Sequence, residues 1–174
     1  MAVHSSPALD GDAGAPAILT REGRGLLAQR AQRLRTRLLT ELRAALDQDQ
    51  RDLQAVADYQ RAAAELHRLT WLLEHATIAE DLPDDPALVE LGEAVTVQDQ
   101  HGGVDRFLIV HPAEAPLDHT RISTDAPLAR ALLGRRVGEE VEVDAPGGTY
   151  RYRILAAERA PARRRHDADA PMPP

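Results

Sequence analysis

The stretch ISTDAPLARALLGRRVGEEVEVDAPGGTYRYRI, residues 122–154, decides the architecture of the C-terminal half. A short strand is predicted over residues 120–123, and its last two residues, Ile122 and Ser123, begin this stretch. A helix is predicted over residues 127–133, because a proline begins this segment and a glycine follows it. Asp125 lies near the N-cap of that helix. One short helix is therefore expected between two strands.

Two β-hairpins are predicted, one before this helix and one after it. Residues 94–97 and 106–110 flank a Gly-Gly pair, and residues 137–143 and 150–155 flank a Pro-Gly-Gly turn. Short apolar runs joined by glycine-containing turns are typical of antiparallel strands. We therefore predict a small α+β domain over residues 91–159, built from an antiparallel sheet and one short helix.

The N-terminal half predicts two long helices. Thr20 can cap the first of them, and Glu22 suits its first turn. Apolar residues then recur every three or four positions, which is the spacing of a coiled-coil seam. The first seam comprises Leu27, Ala31, Leu34, Leu38, Leu42 and Ala45, and the second comprises Tyr59, Ala62, Leu66, Leu69, Leu73 and Ala76. With polar residues 47–52 between them, the seams predict an antiparallel coiled-coil hairpin over residues 19–80.

Each predicted arm has about 26–30 residues, or roughly 40–45 Å at 1.5 Å per residue. A hairpin of this length can pack against the second domain, form a dimeric coiled coil or protrude as a finger. The seams are narrow and arginines crowd their flanks, so most of each helix must face water. These arginines are Arg30, Arg33, Arg35, Arg37, Arg43, Arg61 and Arg68. The pattern favours a protruding finger.

Composition marks the remaining boundaries. Residues 1–18 are rich in Ala, Gly, Ser and Pro, and residues 160–174 are rich in Pro and polar side chains, so both are expected to be disordered tails. Residues 81–90 are acidic and contain prolines, and we predict that they link the two folded parts. Arg163–Arg165 are interpreted as part of a solvated tail.

The 174-residue chain has a formal net charge of −7, no cysteine, and arginine at all 21 of its basic positions. The absence of cysteine excludes disulfides, thiolate nucleophiles and cysteine-ligated metal sites. An acidic net charge weighs against duplex nucleic acid as the main partner. No apolar run is long enough to span a bilayer, and the N-terminus does not resemble a signal peptide, so we expect a cytoplasmic protein without a membrane partner.

No group of residues predicts an active site in the chain itself. His67 and His75 are eight positions apart on one predicted helix, too far for a helical metal-binding pair. No serine lies in a Gly-x-Ser-x-Gly turn. We therefore expect no cofactor and no enzymatic activity of the chain's own.

Three carboxylates, Asp47, Asp49 and Asp52, crowd the predicted turn at the far end of the coiled-coil hairpin. Grouped carboxylates can hold a divalent cation, or present a negative tip to a basic or metal-bearing site elsewhere. Aspartate is also a common turn residue, so spacing alone leaves a purely structural role open.

The C-terminal stretch closely resembles the C-terminal domain of the bacterial Gre transcript-cleavage factors. The family pattern runs Ile-Ser, Asp-Ser-Pro-Leu, Ala-Leu-Leu-Gly and Val-Gly-Asp, followed by alternating valines and Pro-Gly-Gly. It is matched at Ile122, Ser123, Asp125, Pro127, Leu128, Ala131 to Gly134, Val137, Gly138, Val141, Val143 and Pro146 to Gly148. The segment LTREG, residues 19–23, resembles the family's opening Leu-Thr-x-Glu-Gly, so the resemblance covers residues 19–158.

This resemblance implies a coiled-coil finger, an FKBP-like C-terminal domain, and bacterial RNA polymerase as the partner. In the family, the C-terminal domain grips the mouth of the polymerase secondary channel, which implies polymerase binding by Ser123, Asp125, Pro127 and Leu128 here. The finger enters the channel, and its tip approaches the catalytic Mg²⁺ that the polymerase holds. Contact with DNA or RNA is then indirect, and we expect the protein to be a monomer.

The tip departs from the family pattern. Cleavage-competent members share Gly-Asp-Leu-x-Glu-Asn-x-Glu-Tyr, in which the first Asp and Glu help to retain a second Mg²⁺ and orient the attacking water. The matching stretch here is RDLQAVADY, residues 51–59. Asp52 and an acid at Asp58 are kept, whereas Ala55 replaces Glu and Arg51 replaces Gly. Ala55 has no oxygen with which to hold a metal.

We therefore hypothesise a Gre-like regulator of transcription elongation that inserts its tip into the channel without efficient transcript cleavage. It would inhibit transcription or compete with other factors, with Asp47, Asp49, Asp52 and Asp58 facing the polymerase active site. Loss of one of two positioned carboxylates is expected to slow cleavage by orders of magnitude. The alternative is an active cleavage factor that rescues backtracked polymerase, with Asp47 or Asp49 replacing the missing Glu.

Overall fold

The computed structural model describes residues 16–42, 53–83, 85–145 and 148–159. A helical part comes first, and a curled five-stranded sheet with one short helix follows it, so the predicted α+β class is confirmed. The predicted turn of the coiled-coil hairpin and most of the two predicted tails lie outside the described residues. None of the helices described is long and apolar enough to cross a membrane.

Two long helices form the helical part. Helix α1 spans Arg21–Arg37 and continues as a π-helical segment, Leu38–Leu42, and α2 spans Leu53–His75. Thr20 caps α1 as predicted, because its hydroxyl accepts a hydrogen bond from the backbone N–H of Gly23 (2.9 Å). This bond satisfies one of the N–H groups that the first turn of a helix leaves without a partner.

The two helices pack along the predicted seams. Leu27 of α1 shares a buried cluster with Leu69 of α2, and Leu38 shares another with Ala62. Because the residue numbers run in opposite directions along the pair, the helices are antiparallel. Leu72, which lies outside the predicted seam, is buried as well.

A two-stranded parallel sheet that the sequence pattern does not predict closes the base of the helical part. Strand β1, Ile18–Leu19, pairs with β2, Thr77–Ile78, which directly follows α2. A single 3₁₀ turn, Ala79–Asp81, then leads toward the sheet domain, defined here as residues 85–159. Strands of two residues are too short to show a period of two, so periodicity could not detect them.

The sheet domain contains five strands in the order β5-β4-β3-β7-β6. The strands are β3 Glu93–Asp99, β4 Val104–Val110, β5 Arg121–Ser123, β6 Glu140–Ala145 and β7 Gly148–Arg159, and the helix α3 spans Pro127–Leu132. Neighbouring strands are antiparallel, as predicted, except at the edge formed by β4 and β5, which are parallel. The chain between β4 and β5 makes a crossover instead of a tight turn, which is what parallel strands require.

The start of β6 also differs from the prediction. Strand β6 begins at Glu140 and not at Val137, because Gly138 adopts a positive φ of 93° and its N–H bonds the carbonyl of Ile154 (2.8 Å). This turn delays the strand. The N-cap of α3 is Ala126, and no side chain caps the helix.

Apolar side chains of the short helix α3 and of the sheet form the core of the sheet domain. Val95, Ile109, Leu132 and Ile154 are fully buried there. Val89, which precedes β3, belongs to the same core. The chain that enters the sheet domain is therefore anchored before its first strand begins.

Leu27→Ala is expected to lower the free energy of unfolding by about 2–5 kcal/mol, because it leaves a cavity between α1 and α2. Leu27 has no exposed surface, whereas Leu39 is 61% exposed. The same substitution at Leu39 should therefore change stability by less than about 0.5 kcal/mol. Urea unfolding followed by circular dichroism measures both variants, and equal losses would contradict the packing described here.

Candidate functional site

The acidic tip is described only in part. Asp47, Asp49 and Asp52 lie outside the described residues, and α2 begins at Leu53. The role of these three aspartates therefore stays a prediction. Within the ranges that the structure describes, no group of three or more His, Asp or Glu side chains is placed to hold a metal ion.

The described part of the tip, the first two turns of α2, carries a single carboxylate. Asp58 forms an ion pair with Arg61 and accepts a hydrogen bond from the side-chain amide of Gln54 (3.2 Å). Its charge is therefore partly neutralised on the helix surface. Ala55 lies nearly one turn earlier, where the family pattern has Glu, and presents only a methyl group.

The four residues expected to bind polymerase lie together where β5 leads into α3. The Ser123 hydroxyl accepts a hydrogen bond from the N–H of Asp125 (3.0 Å), and its carbonyl accepts one from the N–H of Ala126 (2.9 Å). Asp125 and Pro127 are exposed, while Leu128 is half-buried against the core. We call residues 123–128 the docking turn. Its role in binding stays a prediction.

His111, which no sequence motif marks, lies near the docking turn. Its Nδ1 accepts a hydrogen bond from the N–H of Ala113 (3.1 Å). Burial lowers the pKa of His111 below its ordinary value, and the Asp125 carboxylate partly offsets this effect. The imidazole is therefore neutral at pH 7 and adds no positive charge beside the docking turn.

A buried carboxylate joins the helical part to the sheet domain. Glu114, in the crossover between β4 and β5, has no exposed surface. One carboxylate oxygen accepts a hydrogen bond from the N–H of Thr20 (2.9 Å), and the other accepts one from the Thr20 hydroxyl (2.5 Å). Because Thr20 caps α1, the carboxylate lies at the N-terminus of that helix, where the peptide dipoles favour negative charge.

Arg121, the first residue of β5, supplies the opposite charge. Its guanidinium donates to Glu114 (3.2 Å), to Glu22 of α1 (3.0 Å) and to Asp118 (2.7 Å). The Arg121 side chain is 3% exposed, and a buried ion without partners costs several kcal/mol, so these contacts offset a large desolvation cost. We call Thr20, Glu22, Glu114, Asp118 and Arg121 the junction cluster.

Gly23 leaves room for the junction cluster. A Cβ at this position would lie 1.6 Å from Glu114 Oε2 and 2.7 Å from the Thr20 hydroxyl oxygen. Other residues of the segment LTREG, residues 19–23, also have structural roles at this junction. Leu19 packs in the adjacent apolar cluster, and Thr20 both caps α1 and donates to the Glu114 carboxylate.

The junction cluster shifts two pKa values in opposite directions. Burial raises the pKa of the Glu114 carboxyl above its ordinary value, and hydrogen bonds from Thr20 partly oppose the rise. For Asp118, a hydrogen bond from the Thr120 side chain and the contact with Arg121 lower the pKa to about 2. Asp118 is therefore the group through which ionisation stabilises the junction at neutral pH.

Nothing local in the sequence marks the junction cluster. Glu and Arg are seldom buried, and Glu114 lies between two prolines in a segment without periodicity. Its partner Thr20 is 94 positions away. The one available signal was Gly23, since a glycine in the first turn of a helix has no favourable propensity and requires another reason.

Comparison with known proteins identifies relatives of both parts of the chain. A family model described as "Transcription elongation factor, GreA/GreB, C-term" matches residues 84–159. The chain is 34% identical over 147 residues to "Transcription elongation factor GreA" of Thermotoga neapolitana, and 33% identical over 150 residues to the protein of that name from Geobacillus kaustophilus. These alignments cover 79% and 80% of this chain, and 94% and 95% of the relatives.

Two solved structures are also similar. One is the GreA factor homolog 1 (Gfh1) protein of Thermus thermophilus, with 30% identity, a TM-score of 0.38, and coverage of 83% of this chain and 99% of that one. The other is the transcription elongation factor GreA/GreB from Nitrosomonas europaea, with 22% identity, a TM-score of 0.38, and coverage of 82% and 98%.

Asp118→Asn is expected to lower the free energy of unfolding at pH 7. The difference in this free energy between the variant and the unaltered chain should become smaller in acid. The folded-state pKa of about 2 lies below the ordinary 3.8, so ionised Asp118 stabilises the fold above pH 3.8 and loses that effect as the pH falls toward 2. Urea unfolding of the variant and the unaltered chain at pH 7 and about pH 3 measures the two differences.

Asp105→Asn is the matched control for this experiment, because Asp105 is exposed on β4 and lies outside the junction cluster. It should leave the free energy of unfolding nearly unchanged at both pH values. A loss in Asp118→Asn that is the same at both pH values would contradict the ionisation argument.

Proposed function

Because the chain belongs to the GreA/GreB family of transcription elongation factors, we propose that it binds bacterial RNA polymerase at the secondary channel. The finger formed by α1 and α2 enters the channel, and its acidic tip approaches the Mg²⁺ held by the polymerase. The protein regulates elongation without efficient transcript cleavage and has no enzymatic activity of its own. It acts as a monomer in the cytoplasm and reaches DNA or RNA only through the polymerase.

The proposal that cleavage is inefficient rests on Ala55. Two-metal hydrolysis requires that both ions are held in place, and the family pattern supplies a carboxylate at this position for the second ion. Here the position presents a methyl group, and the nearby Asp58 is paired with Arg61. Removing one positioned group that stabilises a transition state slows other enzymes by about 10²–10³-fold.

The docking turn is the proposed contact with the mouth of the channel. It combines the exposed carboxylate of Asp125 with the half-buried Leu128, and hydrogen bonds to Ser123 hold it in one conformation. A surface that is ordered before binding loses less entropy when a partner binds. Such a contact supports binding that does not depend on the finger tip.

The alternative function is active transcript cleavage that rescues backtracked polymerase. It is favoured by the three aspartates of the tip, Asp47, Asp49 and Asp52, since two of them are additional to the family pattern. In this alternative, Asp47 or Asp49 supplies the carboxylate that Ala55 lacks. Carboxylate oxygens are suitable ligands for Mg²⁺ whichever residue carries them.

The experiment that separates these functions uses stalled, backtracked elongation complexes incubated with the full chain. We expect little release of RNA 3′ fragments on a gel, together with slower nucleotide addition. Efficient fragment release would overturn the non-cleaving proposal and support the alternative. No effect on either reaction, with no retention of the chain on immobilised polymerase, would contradict polymerase binding.

Ala55→Glu is expected to raise fragment release in this assay by about tenfold or more, because it restores a carboxylate for the second ion. Ala57→Glu, two positions further along α2, adds the same charge at a position without a role in the family pattern, and is the matched control. Equal gains in both variants would contradict the role of Ala55. The role of Ala55 would also be contradicted if fragment release did not rise in Ala55→Glu, either alone or combined with Arg51→Gly.

Asp52→Ala and Asp125→Ala are expected to impair different properties, inhibition and polymerase retention respectively. Asp52→Ala removes charge from the tip, whereas Asp125→Ala removes charge from the docking turn. Asp52→Ala should weaken the inhibition of nucleotide addition and leave retention on immobilised polymerase intact. Asp125→Ala should weaken retention, and saturating protein should restore its inhibition. Parallel loss of retention and inhibition in both variants would contradict this division between tip and docking turn.

A further inference from the structure

We propose that Glu114 is a positioning residue that sets the direction of the helical part relative to the sheet domain. Because Glu114 is fully buried, it can act on a partner only through the orientation of α1 and α2. The consequence for transcription rests on the proposed function, in which the far end of α2 must reach the polymerase active site. The orientation itself is a property of the free protein.

Apolar packing alone does not fix this direction. Ala113 and Leu117, on either side of Glu114, pack against the buried cluster of the helical part that contains Leu19 and Leu27. Such contacts stabilise the interface in proportion to the area that they cover, but they have no preferred direction. A small rotation of one part on the other would keep most of that area buried.

The hydrogen bonds of Glu114 do depend on direction. Its two oxygens accept from the backbone and the hydroxyl of Thr20 on the helical side, at 2.9 and 2.5 Å, and from Arg121 on the sheet side, at 3.2 Å. Hydrogen bonds weaken steeply away from linear geometry, so a rotation of α1 would break them. Arg121 also reaches Glu22 in the first turn of α1, which adds a second point of contact to the same helix.

A separate attachment holds the chain where it leaves the helical part. Arg159, the last residue of β7, donates to the carbonyl oxygens of Ala79 and Leu82 (2.8 Å each) and to Glu90 (2.9 Å). One attachment of this kind allows the helical part to pivot around it. A second attachment, at the start of α1, removes that freedom, and Glu114 is its central acceptor.

The length of the helices magnifies any rotation at this junction. Helix α2 has 23 residues and is about 35 Å long, so a rotation of about 10° at its base moves its far end by about 6 Å. Misplacement of a reacting group by about 1 Å is already enough to slow catalysis about 10²-fold. A modest change at Glu114 is therefore sufficient to remove the tip from its working position.

The orientation can be measured directly in the free, full-length chain. The sequence has no cysteine, so Gln60→Cys in α2 and Asp105→Cys in β4 carry the only two spin labels. Pulsed electron paramagnetic resonance then gives the distribution of distances between the helical part and the sheet domain. Glu114→Ala is expected to shift and broaden this distribution. Glu142→Ala, which removes an exposed carboxylate that pairs with Arg151, should leave it unchanged.

A distribution that is unchanged in folded Glu114→Ala would overturn the proposal. If that variant loses its helical circular dichroism, Glu114→Gln decides the question, because glutamine keeps the size of the side chain and one acceptor oxygen but replaces the other oxygen with an NH2 group that cannot accept a hydrogen bond. A smaller shift in the same direction is then expected, and an unchanged distribution would overturn the proposal. Gly23→Ala should also shift the distribution, since its Cβ would collide with the Glu114 carboxylate.

Transcription assays test the consequence for function. If about one tenth of the Glu114→Ala molecules hold the competent orientation, the effect on nucleotide addition at saturating protein should fall to about one tenth of that of the unaltered chain. Retention on immobilised polymerase should persist through the docking turn. A shifted distribution with an unchanged effect on transcription would overturn the functional half of the proposal. If the unaltered chain has no effect on polymerase, the proposed function fails, and the distances still decide the role of Glu114.

Discussion

The buried hydrogen bonds between Glu114 and Thr20 are the interaction on which the rest of the structure depends. A carboxylate without exposed surface must be fully paired, so three distant segments have to meet at one point. These segments are the start of α1, the crossover after β4 and the first residue of β5. Each is irregular or terminal, and none has a long apolar face of its own. The pairing requirement, more than apolar area, therefore determines where the helical part meets the sheet.

The docking turn and the junction cluster share a short, rigid connection. Strand β5 has only three residues, with Arg121 of the junction cluster at one end and Ser123 of the docking turn at the other. Its ladder with β4 keeps both ends in register. A partner bound at residues 123–128 would thus be held in a defined position relative to α1. In the proposed function, this connection relates the polymerase contact to the direction of the finger.

The sequence predicted features that depend on local periodicity and failed where distant segments decide the outcome. The seams of α1 and α2, the cap at Thr20 and both sheet hairpins follow from patterns within short windows. The parallel pairing of β5, the strands β1 and β2, and the burial of Glu114 depend on contacts between residues far apart in the chain. Of the candidate site, residues 123–128 lie together between β5 and α3 and their role in binding stays a prediction, whereas Asp47, Asp49 and Asp52 lie outside the described residues.

Gly23 has a consequence for how this sequence can change. The space that its missing side chain leaves is filled by the Glu114 carboxylate, so the two positions divide one fixed volume between them. Added bulk at residue 23 has to be compensated by a shorter side chain at residue 114, which would then release both Thr20 and Arg121. The side chain that fits at one of these positions therefore depends on the side chain at the other, although both positions are buried and neither lies at a surface that a partner can touch.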